Sequence, residues 1–216
     1  PVYAGPMMQN KLKPEHFARE DSGDDELFYL QPRLVKHIDE SACDALADYY
    51  ARALPTGGDI LDLMSSYASH LPAEAVYGRA VSLSMNLREM EQNHQLSERL
   101  VHNLNTHPVK PFAERSFDAC ILAVSMQYLT HPVKVFTDVA RVLKPDAPFA
   151  ISFSNRMFAT KAVALWRSIS DADHAWLLQI YSRAAGGYQG LTFEDLSPAP
   201  SKSDQIYLVS ARREMV

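Results

Sequence analysis

The chain has 216 residues, 47% of them apolar and 22% charged, the composition of a globular domain that can bury a substantial core. Its 21 basic and 26 acidic residues leave a net charge of −5, and no basic block offsets it, which argues against a nucleic-acid surface. No apolar run approaches the length needed to span a bilayer, and none stands at the start as a leader, so the expected compartment is the cytoplasm or an organelle stroma or matrix, with no membrane partner.

Residues 1–26 are polar, with Pro1, Pro6 and Pro14 and the acids Glu20, Asp21, Asp24, Asp25 and Glu26. This composition predicts an extended arm that packs on something else, or one that is partly disordered. The aromatic and apolar run Leu27–Pro32 is where it would dock. A helix is expected over Asp39–Leu54: Asp39 suits the N-cap, Ala42, Leu46, Tyr49 and Ala53 share one face, and Pro55-Thr56-Gly57-Gly58 stops it. Strands and helices then alternate. Ile60–Leu63 and Ala80–Leu83 read as buried strands. Asn86 followed by Glu89 is a capping-box pattern that opens a helix. A weaker strand falls around Leu100–Leu104 and a strong one at Phe117–Val124. His131-Pro132 opens an amphipathic helix that ends at Lys144-Pro145-Asp146, and Pro148–Phe153 is a fifth strand. Helices are expected near Met157–Ile169 and Asp173–Ala185, the second ended by Gly186-Gly187. Leu191–Leu196 and Gln205–Ala211 alternate as an antiparallel hairpin around Ser197-Pro198-Ala199-Pro200-Ser201.

This order predicts one α/β domain over 1–216, with an arm and capping helix in 1–54 and the core in 55–216. The core is a doubly wound, mostly parallel seven-stranded sheet with an antiparallel C-terminal hairpin. Cys43 and Cys120 fall in a helix and a core strand, where they read as small buried hydrophobes. His102 and His107 are separated by a strand end, and no metal site is expected.

Four pieces of the chain carry a resemblance. They are Gly58–Leu63 with the loop Met64-Ser65-Ser66-Tyr67-Ala68, then Gly78–Asn86, then Pro111–Asp118, then Val139-Ala140-Arg141-Val142-Leu143-Lys144-Pro145. In this order and spacing, over about residues 55–153, the chain resembles the class I S-adenosylmethionine-dependent methyltransferases, in the ubiquinone-biosynthesis-like, type 11 branch. Its cofactor loop is glycine-free, with Met64, Ser66 and Ala68 at the three glycine positions. The resemblance implies a Rossmann-like core with S-adenosyl-L-methionine across the carboxyl ends of the strands. It places Asp62, Ser65 and Ser66 against the amino-acid part of the cofactor. Ser84 stands at the position of the ribose-binding acid, with Asn86 as the nearest bidentate substitute; Asn86 is equally a helix cap. Asn103, Leu104 and Asn105 occupy the adenine turn, and Ser125 the floor after the fourth strand. Tyr128 and His131 are candidate acceptor contacts, and His174 could form an acid–base pair with Asp173, which could instead cap its helix. The implied activity is methyl transfer to a small-molecule acceptor; the alternative is a ligand-binding protein that kept the fold and lost the reaction. The segment 27–54 is expected to cover the site, or to be exchanged in a homodimer.

Overall fold

The computed structural model describes residues 12–198 and 202–216, so the first part of the arm and residues 199–201 of the hairpin turn lie outside the described residues. Seven strands form one sheet: β1 (Asp59–Leu63), β2 (Arg79–Ser84), β3 (Glu98–Val101), β4 (Ala119–Ala123), β5 (Pro148–Ser154), β6 (Tyr188–Asp195) and β7 (Ile206–Arg213). Their order is β3-β2-β1-β4-β5-β7-β6. β1 to β5 pair in parallel, whereas β7 lies antiparallel between β5 and β6. The hairpin of β6 and β7 is therefore the antiparallel edge that the alternation and turn residues predict. The strand order reverses between β1 and β4, which opens a crevice at their carboxyl ends.

Among the described residues six α-helices accompany the sheet: α1 (Asp25–Phe28), α2 (Glu40–Ala53), α3 (Leu87–Gln92), α4 (Pro132–Val142), α5 (Ala164–Ser168) and α6 (Asp171–Ala185). They cover both faces, because β1, β2, β4 and β5 are buried on both sides. On one face Val135, Phe136 and Val139 of α4 and Leu177, Leu178 and Tyr181 of α6 pack on Leu61, Val81, Cys120 and Phe149. On the other, Leu46, Tyr49 and Tyr50 of α2 and Met90 of α3 pack on Ile60, Ala80 and Ile121. The Asp39 carboxylate accepts from the Ala42 N–H and caps α2 as expected. Gly186 ends α6 at φ 71°, a conformation open to glycine without strain. Both cysteines are buried and unpaired, and burial pushes the Cys43 thiol up to about 11.

Several boundaries differ from the sequence reading, each for a tertiary reason. The helix expected at Met157–Ile169 shrinks to α5, because the N–H groups before it find distant partners. Phe158 donates to the Tyr128 hydroxyl at 2.8 Å. Val163 and Ala164 donate to the carbonyls of Gln127 and Ala18. β3 ends at Val101, since Asn103 turns the chain by accepting the Asn105 N–H on its own side chain. Phe117 makes only an isolated bridge to Leu143, and β4 starts at Ala119. Ser170, not Asp173, caps α6.

From residue 12 on, the arm is folded rather than extended. A 3₁₀ turn at Pro14–Phe17 and α1 lead it back over the sheet, where it is fastened by buried charge. Asp25 is 5% exposed and Lys161 is fully buried. The Arg19 guanidinium reaches both Asp25 oxygens at 2.8 and 2.9 Å. Lys161 Nζ lies 3.1 Å from Asp25 and 3.2 Å from Asp21, and donates to the Gly23 carbonyl. Asn105 Nδ2 donates to Asp25 at 2.9 Å. Burial alone would raise the Asp25 pKa, but hydrogen bonds from Asn105, Arg19 and Lys161 outweigh it and hold the carboxyl below its usual range. Removing one partner of a buried pair leaves the other charge uncompensated. Lys161→Met should therefore lower stability by about 3 kcal/mol. Urea unfolding measures this, and limited proteolysis should show cleavage first between residues 18 and 35. An unchanged midpoint with a protected arm would refute the clasp.

Candidate functional site

The crevice between β1 and β4 opens into a cavity of about 240 Å³, floored by the ends of β1, β2 and β4 and roofed by the arm. Asp62, Ser65, Ser66, Ser84, Asn86, Asn103, Leu104, Asn105, Ser125 and Tyr128 all line it. The structure thus gathers residues spread over more than sixty positions around one space.

Asp62 sits within β1 and is 1% exposed, and its Oδ2 has no hydrogen-bond partner among the described residues. Burial pushes its pKa up to about 7, against the pull of the Ser65 and Ser69 hydroxyls. The loop that follows turns without glycine. Met64 adopts φ 54°, with its N–H on the Leu83 carbonyl at 2.7 Å. His70 at φ 56° and Val124 at φ 41° also line the cavity. For a β-branched residue such as Val124 a positive φ is a clear outlier, of the kind that a surrounding structure must impose. The Ser152 carbonyl fixes the Val124 N–H, and Gln127 Nε2 its carbonyl.

Several of the polar groups are already engaged. Asn86 Oδ1 accepts the Glu89 N–H, and Nδ2 donates to the Tyr29 carbonyl at 2.7 Å, so this side chain both caps α3 and latches the arm. The Asn105 amide is saturated: it donates to Asp25 and the Tyr128 carbonyl, and accepts from the Thr130 N–H and hydroxyl. The Tyr128 hydroxyl accepts from Phe158, and its ring stacks on that of Phe158. Asn103 Oδ1 holds its own turn. The Ser125 hydroxyl has no partner among the described residues.

Two of the three candidate catalytic residues stand apart from the cavity. His131 is exposed at the start of α4. His174 is buried, stacked on Trp166 with ring centroids 3.9 Å apart, and its Nε2 lies 2.8 Å from the Trp166 carbonyl. Its Nδ1 faces Asp171 at 3.3 Å, not Asp173, whose carboxylate takes the Ser170 hydroxyl. His174 is a packing residue of the α5–α6 corner.

Other lining residues were not singled out by the resemblance. Arg33 lays its guanidinium over the rings of Phe28, Phe158 and Tyr29, at 4.7, 5.1 and 5.7 Å. His37 meets the Phe158 ring edge-on, and burial lowers its pKa. Burial also brings His70 down to about 4, helped by the positive charge of Lys36, so both imidazoles are neutral at neutral pH. Glu89 of α3 is buried beside Ser66. Its only sequence signal was its place in the capping pattern; His70 had none.

Residues 56–151 match the family model described as a methyltransferase domain. That match covers under half of the chain, and the matched region is similar to a methyltransferase domain. Within the curated proteins, the biotin biosynthesis bifunctional protein of Teredinibacter turnerae is 28% identical over 79 residues, 37% of this chain. That match spans only 14% of the bifunctional protein. Solved structures agree on the fold. An S-adenosylmethionine-dependent methyltransferase of Thermotoga maritima superimposes with a TM-score of 0.59 at 13% identity, covering 81% of this chain and 89% of its own. The cyclase SpnF gives a TM-score of 0.57 at 16% identity, covering 80% and 82%. One methyltransferase fold thus carries more than one chemistry.

Two outcomes follow from the strained and buried groups. At Met64, glycine should be more stable than alanine by about 1 kcal/mol, the reverse of the order at an ordinary position, because only glycine takes φ 54° freely. Thermal unfolding of the two variants decides it. The Asp62 carboxyl is raised from 3.8 to about 7 on folding, so stability is lost as pH rises across that window and is constant above it. His70 is lowered from 6.5 to about 4, so its contribution is complete above 6.5 and is lost as pH falls toward 4. The two slopes oppose each other. Asp62→Asn should gain on the wild type between those limits, by on the order of 4 kcal/mol, while His70→Gln changes stability with the opposite slope. Parallel stability–pH curves for wild type and both variants would refute the assignment.

Proposed function

We propose that this domain transfers a methyl group from S-adenosylmethionine to a small-molecule acceptor enclosed beneath the N-terminal arm. The observation that carries the reading is Asp62, a buried carboxylate whose Oδ2 lacks a partner among the described residues, in the crevice where the strand order reverses. An unpartnered buried carboxylate oxygen is costly, and a ligand ammonium resolves it. The amino-acid end of the cofactor bears such a group, and the small Ser66 and Ala68 leave the loop room to approach it.

When bound, the cofactor supplies an electrophilic sulfonium methyl that needs alignment more than activation. Asp62, Ser65 and Ser66 receive the amino-acid end. Ser84 and Asn86 lie toward the ribose, and Asn103, Leu104 and the backbone of Asn105 toward the adenine. Ser125 offers a free hydroxyl on the floor. The arm excludes water, and its closure over the crevice favours an acceptor small enough to be enclosed whole. His37 and His70, neutral and lining the same cavity, can take the proton that an O–H or N–H acceptor gives up. Tyr128 contributes its ring rather than its hydroxyl, which is already bonded.

Pairing with an ammonium pulls the Asp62 pKa down, so ligand binding should expel its proton. Calorimetric titration with S-adenosylhomocysteine at pH 7, in buffers of different ionisation enthalpy, should show about half a proton released per site. Asp62→Asn should abolish that buffer dependence and weaken binding about tenfold or more. Folded protein that gives neither heat nor a thermal shift with saturating S-adenosylmethionine or its demethylated product would sink the proposal.

A further inference from the structure

The end of β2 lacks the acid that would grip a ribose: Ser84 is uncharged, and the Asn86 amide is divided between capping α3 and holding the arm. Among the described residues the acidic side chains that line the cavity are Asp62 and Glu89. Asp62 lies in β1, on the loop side. Glu89 lies one turn into α3, 6% exposed, on the β2 side.

Its orientation departs from what its position dictates. At the third residue of a helix behind an asparagine cap, a glutamate ordinarily folds back onto the N–H of the cap residue. Here only half of that arrangement forms. The Asn86 side chain accepts the Glu89 N–H, but the Glu89 carboxylate turns toward the cavity. There Oε2 accepts the Ser66 hydroxyl at 2.6 Å, and Oε1 accepts the Arg33 N–H at 2.7 Å. A carboxylate offers about four acceptor positions, so about two remain, one on each oxygen. Two donors from separate segments, the loop after β1 and the stretch before α2, hold the group in place. Two adjacent open acceptor positions suit a vicinal diol.

We infer that Glu89 is the carboxylate that takes the ribose diol of the cofactor in this domain, standing in from α3 for the acid that β2 lacks. The inference rests on the reading of the cavity as a methyl-donor site. The same carboxylate joins the cofactor loop through Ser66 and the arm through Arg33, so the diol is recognised at the point where roof and floor meet.

The test uses a ratio, because a merely structural Glu89 would weaken all ligands alike. Binding of S-adenosylhomocysteine and of its 2′-deoxy and 3′-deoxy analogues is measured by calorimetry on the wild type and on Glu89→Gln. The wild type should prefer the ribose ligand over each analogue by about ten- to a hundredfold, the range for a hydrogen bond to a charged group. Glu89→Gln should reduce that preference to a few-fold at most, whatever it does to overall affinity. Should Glu89→Gln fail to fold, Glu89→Asp, which keeps the charge and withdraws it by one methylene, should reduce the same ratio. A wild type that binds all three ligands equally, or a folded variant that keeps the full preference, overturns the assignment of Glu89 and leaves the methyl-donor reading standing. A wild type that binds none of them overturns both.

Discussion

A buried carboxylate must be surrounded by donors, and at Asp25 that requirement decides where the described part of the arm lies. The donors come from separate parts of the chain: Arg19 from the arm itself, Lys161 from the approach to α5, and Asn105 from the turn after β3. Satisfying Asp25 therefore draws three regions together over the strand ends. Asn105 carries the constraint further, because the same amide also holds Tyr128 and Thr130 in the loop after β4. The floor and the roof of the cavity are positioned by one network.

Around the cavity the backbone is held where it would not rest on its own. Met64, His70 and Val124 have positive φ without being glycine, and each faces the same space. Such conformations cost on the order of 1–3 kcal/mol each and persist only where the rest of the structure imposes them. Here the parallel strands on either side supply the restraint: Met64 is bonded to Leu83 at the end of β2, and Val124 to Ser152 in β5. With Met64, Ser66 and Ala68 in place of glycines, the loop gains a hydroxyl at Ser66 and carries strain at Met64.

Much of this was legible before any coordinates. The alternation of strands and helices, the Asp39 cap and the proline-bearing turn are local signals, and the sheet follows from them. The cavity lining was legible through order along the chain, since strand ends of a doubly wound sheet converge whatever their side chains. What the sequence hid was the partner of each polar group. Glu89 reads locally as a helix cap, and only the folded chain brings Ser66 and the Arg33 N–H to its carboxylate. His174 beside Asp173 reads as an acid–base pair until Trp166 is found stacked on it. Phe158, Val163 and Ala164 sit in a helical pattern, yet their N–H groups go to Tyr128, Gln127 and Ala18 across the fold.

The clasp on the arm also has an order in time. Lys161 grips Gly23 across 138 positions of sequence, and Asn105 reaches Asp25 across 80. Contacts of such long separation cannot form until the sheet between them exists, and they add little to the core that drives collapse. The segment around Asp25 is thus the last to be fastened, and the first to come away when the protein opens locally. Opening it uncovers the cavity without requiring the seven strands to part.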